Sequence, residues 1–288
     1  MRKVLAVSWM SALEALSAPA TLLLWLTATI GTLLLPLFQF QRFTEDGRLA
    51  RDSGMATAML FGALLVIGGA TRLNRVLKDG TSALALTKPL SRGAWLCGQA
   101  LGTAATLLLF AIAQGAATLL AEHFSPHYHT TGTYANIPAT FGAVGLAVGA
   151  LVLGALNHRF RNGRFTLCAS LALPLLLCIR VATLAPQLHW GALTGLLAIL
   201  LGLIQLGALA FALATRCGAG LTASLTLAAG LLAMVFLQGS AYFPLDALSN
   251  GGHVPLSTLL WLLPQSLCAT TFLLWCGART LHNREVAQ

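Results

Sequence analysis

The sequence predicts an all-α membrane protein: a polytopic transmembrane bundle of six to eight spanning helices, preceded by an interfacial amphipathic helix. Three observations lead there. Mean hydropathy is +0.80 and 9% of residues are charged, against roughly 25% in a soluble domain. The apolar residues come in blocks close to the ~20 residues that cross a bilayer as a helix. The Leu/Ala/Gly runs show none of the polar–apolar alternation that a membrane β-barrel needs.

The chain opens on Arg2 and Lys3, as a signal peptide would. However, Ser8, Ser11, Glu14 and Ser17 interrupt any apolar core, and a full-length span follows at once. Val4, Leu5, Trp9, Leu13 and Leu16 recur at helical spacing. Residues 2–18 therefore read as an amphipathic helix along the cytoplasmic interface with Trp9 as anchor. The alternative is a plain extension of the first span.

Spans are predicted at 19–38, 54–71, 94–121, 138–156, 165–184, 191–214, 219–240 and 257–277, in one transmembrane domain covering 1–288. The fifth carries the weakest signal, because it contains Pro174 and ends near Arg180. Lysine and arginine fix the orientation. With both termini cytoplasmic, thirteen of the seventeen lie inside. Arg42, Arg48 and Arg51 fall in the first outer loop, balanced by Glu45, Asp46 and Asp52. The net charge of +9 thus follows from topology and not from nucleic-acid binding.

Several chemistries lack their residues. A phosphate-cradling loop needs glycine before its lysine, and none of Lys3, Lys78 and Lys88 follows one. No carboxylate reaches mid-membrane, which argues against a proton relay; Arg180 is expected to snorkel to an interface. Gln114, Gln205, Gln238 and Gln265 are expected to bond between helices. The six cysteines form no Cys-x-x-Cys pair and imply neither a disulfide framework nor a zinc site. Glu122, His123, His127 and His129 are ligand types for a divalent transition metal, and the same group is where an integral-membrane enzyme would place its catalytic cluster. Gly98/Gly102, Gly145/Gly149 and Gly191/Gly195 permit close helix approach, within one bundle or between copies.

The densest charge lies at 72–92. Arg72, Arg75 and Lys78 fall three apart, beside Leu73, Val76 and Leu77, which suggests a short amphipathic helix ended by Gly80. Pro89 ends the next stretch, Ser91 can cap the following span, and Trp95 is expected at the interface. From the residues alone this is either an ordinary positive-inside loop or a docking element.

Asp79-Gly80-Thr81, then Thr87-Lys88-Pro89-Leu90-Ser91-Arg92, then Gly98-Gln99 resembles the coupling loop of type-2 ATP-binding-cassette (ABC) transporter permeases. Ala212 to Arg216 resembles that family's tight inner turn, and Arg279 to Glu285 its basic tail. The sequence departs from the family pattern in carrying Arg75, Val76 and Lys78 where glutamates are usual, and Gln99 where lysine is usual. The resemblance implies an inner-membrane permease subunit of an exporter, with no catalytic residue of its own. It would pair with a second copy or a homologous permease as a dimer. ATP would be hydrolysed, as Mg-ATP, in a separate ATP-binding subunit. Arg72, Arg75, Lys78, Asp79 and Thr81 would contact that partner, with Pro89 and Arg92 positioning the loop. The rival readings are an integral-membrane enzyme and an ATP-independent secondary transporter.

Overall fold

The structure is a computed structural model that describes residues 2–38, 47–78, 91–125, 136–236 and 254–283. Those residues form nine α-helices and no strand: α1 (Arg2–Ser17), α2 (Pro19–Leu34), α3 (Arg48–Lys78), α4 (Arg92–Phe124), α5 (Ile137–Arg161), α6 (Phe165–Leu184), α7 (Ala192–Ala214), α8 (Ala219–Phe236) and α9 (Leu256–Asn283). Seven segments are long and apolar enough to cross a bilayer: α2 together with the 3-10 turn Leu35–Phe38 that continues it, and every other helix except α1 and α8. The chain is an integral membrane protein.

Proline sets the first boundary. Ala18 is extended (φ −75°, ψ 127°) and Pro19 occupies the opening turn of α2, where its missing N–H costs nothing. α1 is thereby a separate helix and not the start of the first span. It lies against α4 and α6, beside Gly98 and Gly102 on one and Thr166 and Ser170 on the other. A Cβ on Gly102 would stand 2.7 Å from the Ser8 carbonyl oxygen, and one on Gly98 would stand 2.7 Å from Val7. That glycine pair is therefore a packing seat for α1 within the bundle. The last carbonyls of α1, which a helix end leaves without partners, are taken by α6: Thr166 Oγ1 donates to Ser17 O at 2.7 Å and Ser170 Oγ to Leu16 O at 3.3 Å. Leu5, Trp9 and Met10 face outward. Gly145 and Gly149, in contrast, meet no other backbone.

α4 is the central helix, touching α1, α2, α3, α5, α6, α7 and α9. Lipid chains are as apolar as leucine, so such helices associate through close packing and hydrogen bonds. Both occur here. Trp25 of α2 packs on Phe110 of α4 with ring centroids 6.0 Å apart. Gln114 of α4, fully buried, donates through Nε2 to Thr32 Oγ1 at 2.7 Å on α2 and to Thr57 Oγ1 at 2.8 Å and Gly54 O at 3.1 Å on α3. This is the interhelical role expected of Gln114. Gln205 does not repeat it, because its Nε2 is buried without an acceptor among the described residues; Gln238 lies outside them.

The connectivity also decides the status of α8. Thr222, in its first turn, meets Asn74 of α3, and Gly230 faces Leu206 in the middle of α7, so α8 runs antiparallel to α7. Val254, Leu259 and Leu262 pack against Ala198, near the start of α7. The chain has therefore returned to the opposite end of the bundle before α9 begins. At 18 residues α8 rises about 27 Å, just short of the ~30 Å hydrocarbon layer. Among the described residues the bundle thus has seven segments of spanning length and one shorter antiparallel helix, α8.

Both ends of α3 differ from the sequence reading. α3 starts at Arg48 and not at 54, and it continues unbroken to Lys78. The expected separate helix carrying Arg72, Arg75 and Lys78 is thus the last two turns of α3. Pro174 does not break α6, where it is buried mid-helix; neighbouring helices allow proline within a span. Trp95 is not an interfacial anchor but is buried in the core.

Candidate functional site

One end of the bundle gathers the basic residues: Arg2 and Lys3 on α1, Arg72, Arg75 and Lys78 closing α3, Arg92 opening α4, Arg159, Arg161 and Arg164 at the α5–α6 turn, Arg216 at the α7–α8 turn, and Arg279 on α9. The opposite end holds Arg48 and Arg51, with Arg180 about one turn before the end of α6. Such an asymmetry is what the lysine and arginine count predicted.

The end of α3 presents its charges in two directions. Arg72 is half-buried, donates from Nε to Gly68 O at 3.3 Å and feels the field of Glu14 on α1. Arg75 and Lys78 are exposed, and Lys78 Nζ lies 3.9 Å from where a Cβ on Gly218 would stand, in the α7–α8 turn. Between them, on the inward side, Asn74 is buried. The amide orientation that satisfies every partner has its nitrogen donating to Cys217 O at 2.9 Å and Ala214 O at 3.3 Å, while its oxygen accepts from Thr222 Oγ1 at 3.1 Å. Carbonyls at the end of α7 lack intrahelical donors, so a single side chain fastens the end of α3 to the α7–α8 turn.

Two further contacts close the circuit. Thr215 of that turn and Thr280 of α9 share a short hydroxyl–hydroxyl hydrogen bond. Arg92 then donates from Nη1 to Leu281 O and His282 O, both at 3.1 Å, placing a cation on the carbonyl end of α9, where the helix dipole favours it. Ser91 caps α4 as expected, accepting from Ala94 N at 3.2 Å. The segment 79–90 therefore has both flanks tied into one ring: α3 through Asn74 to α7 and α8, through Thr215 to α9, and through Arg92 to α4. Asp79, Thr81 and Pro89 lie outside the described residues.

No protein-family model, curated protein or solved structure matches the chain.

The opposite end is built differently. Arg51 Nη2 meets Glu122 Oε1 at 2.6 Å, with the side chains 12% and 5% exposed, and His189 Nδ1 stands 3.9 Å from the same oxygen. Gly47, at φ +72°, turns the chain against Glu122, where a Cβ would stand 2.9 Å from Glu122 Cγ. A left-handed φ with so close a neighbour suits glycine alone. Arg51, expected to be balanced by loop carboxylates, instead bridges α3 to α4. Glu122 is committed to that pair, and the His123 ring lies tilted against Phe124 with centroids 5.6 Å apart. Among the described residues no three His, Cys, Asp or Glu side chains converge on a metal position; His127 and His129 lie outside them.

Asn74, Thr215 and Thr280 were not singled out from the sequence. Asn74 had a usable signal: it falls at helical spacing from Ala70 and Leu77, on the apolar side of the α3 terminus, where an amide must find partners. The Thr215–Thr280 contact joins residues too far apart in sequence to leave one.

Proposed function

We propose that this chain is the permease subunit of a type-2 ABC transporter acting as an exporter, with both termini and the basic end facing the cytoplasm of the inner membrane. A separate ATP-binding subunit holds and hydrolyses Mg-ATP, and a second permease copy or a homologous permease completes a dimer. The observation that carries this reading is the ring at the basic end. A coupling element has to accept a push at one place and deliver it to several spans. The 79–90 segment, with its Gly-Thr and Thr-Lys-Pro-Leu-Ser-Arg elements, is flanked by exposed Arg75 and Lys78 on one side and by Arg92 on the other, and its flanks are bonded to α7, α8 and α9. An ordinary positive-inside loop requires the charge but none of those ties. In this reading Arg72, Arg75, Lys78, Asp79 and Thr81 meet the ATP-binding subunit, and Arg92 with Pro89 holds the loop.

Charge reversal at Arg75 and Lys78 tests the assignment. It is expected to weaken co-purification of the ATP-binding subunit from membranes while leaving insertion and yield of this chain intact. Unchanged co-purification would remove these residues from the contact.

A further inference from the structure

We infer that the α5–α6 turn and the outer side of α5 together bind an anionic phospholipid. On α5, Phe141, Val148, Val152, Leu156 and Phe160 are exposed and recur every four or seven residues, which aligns them along one side of a helix. α5 is 25 residues long and so rises about 37 Å. That exceeds the ~30 Å hydrocarbon core, and its last turn reaches headgroup level.

There the apolar stripe ends in Phe160, at 79% the most exposed large apolar side chain among the described residues. Arg159 and Arg161 flank it and Arg164 follows, all exposed. No aspartate or glutamate occurs between Glu122 and Asp246, and Glu14 on the neighbouring α1 acts on Arg72. The positive charge at this turn is therefore complementary to a phosphate.

The turn is also pre-shaped. Asn162 is left-handed (φ 48°), Gly163 N donates to Asn157 O at 3.3 Å, His158 Nδ1 lies 3.1 Å from Gly163 O, and Arg164 Nη1 reaches Ser17 Oγ at 3.3 Å. A ligand would find these arginines already presented and would not have to order a loop. Phe160 decides the class of occupant. A soluble protein would cover the arginines but not an apolar stripe running down into the hydrocarbon, whereas one lipid molecule spans both layers.

Native mass spectrometry of the full-length protein, with equal phosphatidylglycerol and phosphatidylcholine added to the detergent, reads the site directly. Wild type should retain phosphatidylglycerol in preference to phosphatidylcholine. Each arginine near an anionic lipid surface contributes roughly fivefold in affinity, so Arg159→Gln/Arg161→Gln should lower retention by at least about tenfold, whereas Arg159→Lys/Arg161→Lys should keep most of it. The charge-matched pair Arg75→Gln/Lys78→Gln should leave retention unchanged, and millimolar inorganic phosphate should not displace the lipid. Retention that is indifferent to Arg159 and Arg161, equal retention of both lipids, or displacement by phosphate would overturn the proposal. So would loss of ATP-binding-subunit co-purification in the Arg159/Arg161 variant with lipid retained, which would make the turn a protein-docking surface. The permease reading is unaffected by any of these results except the last, which would add a contact to it.

Discussion

Asn74→Leu is the perturbation that most directly probes the ring at the basic end. Leucine keeps the same branched skeleton of four side-chain heavy atoms, so the substitution deletes three hydrogen bonds without opening a cavity. The bonds run to Ala214 O, Cys217 O and Thr222 Oγ1. Side-chain hydrogen bonds in bilayer proteins average about 0.6 kcal/mol and reach about 1.7. The three together thus contribute about 2 kcal/mol at the average and about 5 at the extreme. The loss should be local, loosening the α7–α8 turn. Within that turn the Arg216 and Cys217 amides bond to Leu213 O, and the Thr222 amide to Gly218 O at 2.9 Å. Their hydrogen exchange reports how often the turn opens. A loss of about 2 kcal/mol corresponds to roughly 30-fold faster exchange, to be read by mass spectrometry on peptides covering residues 213–223. Peptides from α2 and α6 should not change. Exchange in 213–223 within about twofold of wild type would refute the claim that Asn74 fastens this turn.

Other perturbations follow from particular contacts. Gly102→Ala places a methyl group 2.7 Å from the Ser8 carbonyl oxygen; overpacking of this kind costs about 1–3 kcal/mol, and limited proteolysis should cut α1 faster. Gly142→Ala meets nothing within 4 Å and should leave thermal unfolding unchanged or raise it, since alanine is favoured over glycine in a helix by about 0.5–1 kcal/mol. Glu122→Gln leaves Arg51 buried and uncompensated, a loss on the order of 3 kcal/mol, seen as a lower unfolding temperature in detergent. The apolar pair Arg51→Met/Glu122→Leu should recover most of that loss, because no charge is then stranded.

The parts of this fold that were legible in the sequence are those written in composition and short-range pattern. Apolar blocks of spanning length gave the helices, and the distribution of lysine and arginine gave the two unlike ends. The split between α1 and α2 falls where the expected interfacial helix, residues 2–18, meets the first span. Boundaries proved harder where charged residues lie inside a helix. Arg48, Arg51 and Asp52 looked like loop, yet Arg48 and Asp52 pair at i,i+4 with 3.5 Å between them and Arg51 is neutralised by Glu122, so the backbone stays helical. The same reasoning extends α3 to Lys78: nothing in Arg72 to Lys78 breaks a helix, and Asn74 holds its last turns to α7 and α8. Contacts such as Arg51–Glu122, Thr215–Thr280 and Arg92 with the end of α9 join residues 65 to 190 positions apart. Only the folded packing brings them together. The candidate site was therefore legible as a charged segment and illegible as a set of hydrogen-bonded helix ends.

Photo-crosslinking from position 75 tests the central claim most directly. With a photoreactive amino acid replacing Arg75 in the native membrane, the permease account predicts a crosslink to a chain that carries a Walker-type phosphate loop, with a yield that changes when Mg-ATP is added. A position-75 probe that reacts with lipid or with other proteins, and with no such ATP-binding chain in either nucleotide state, would contradict it.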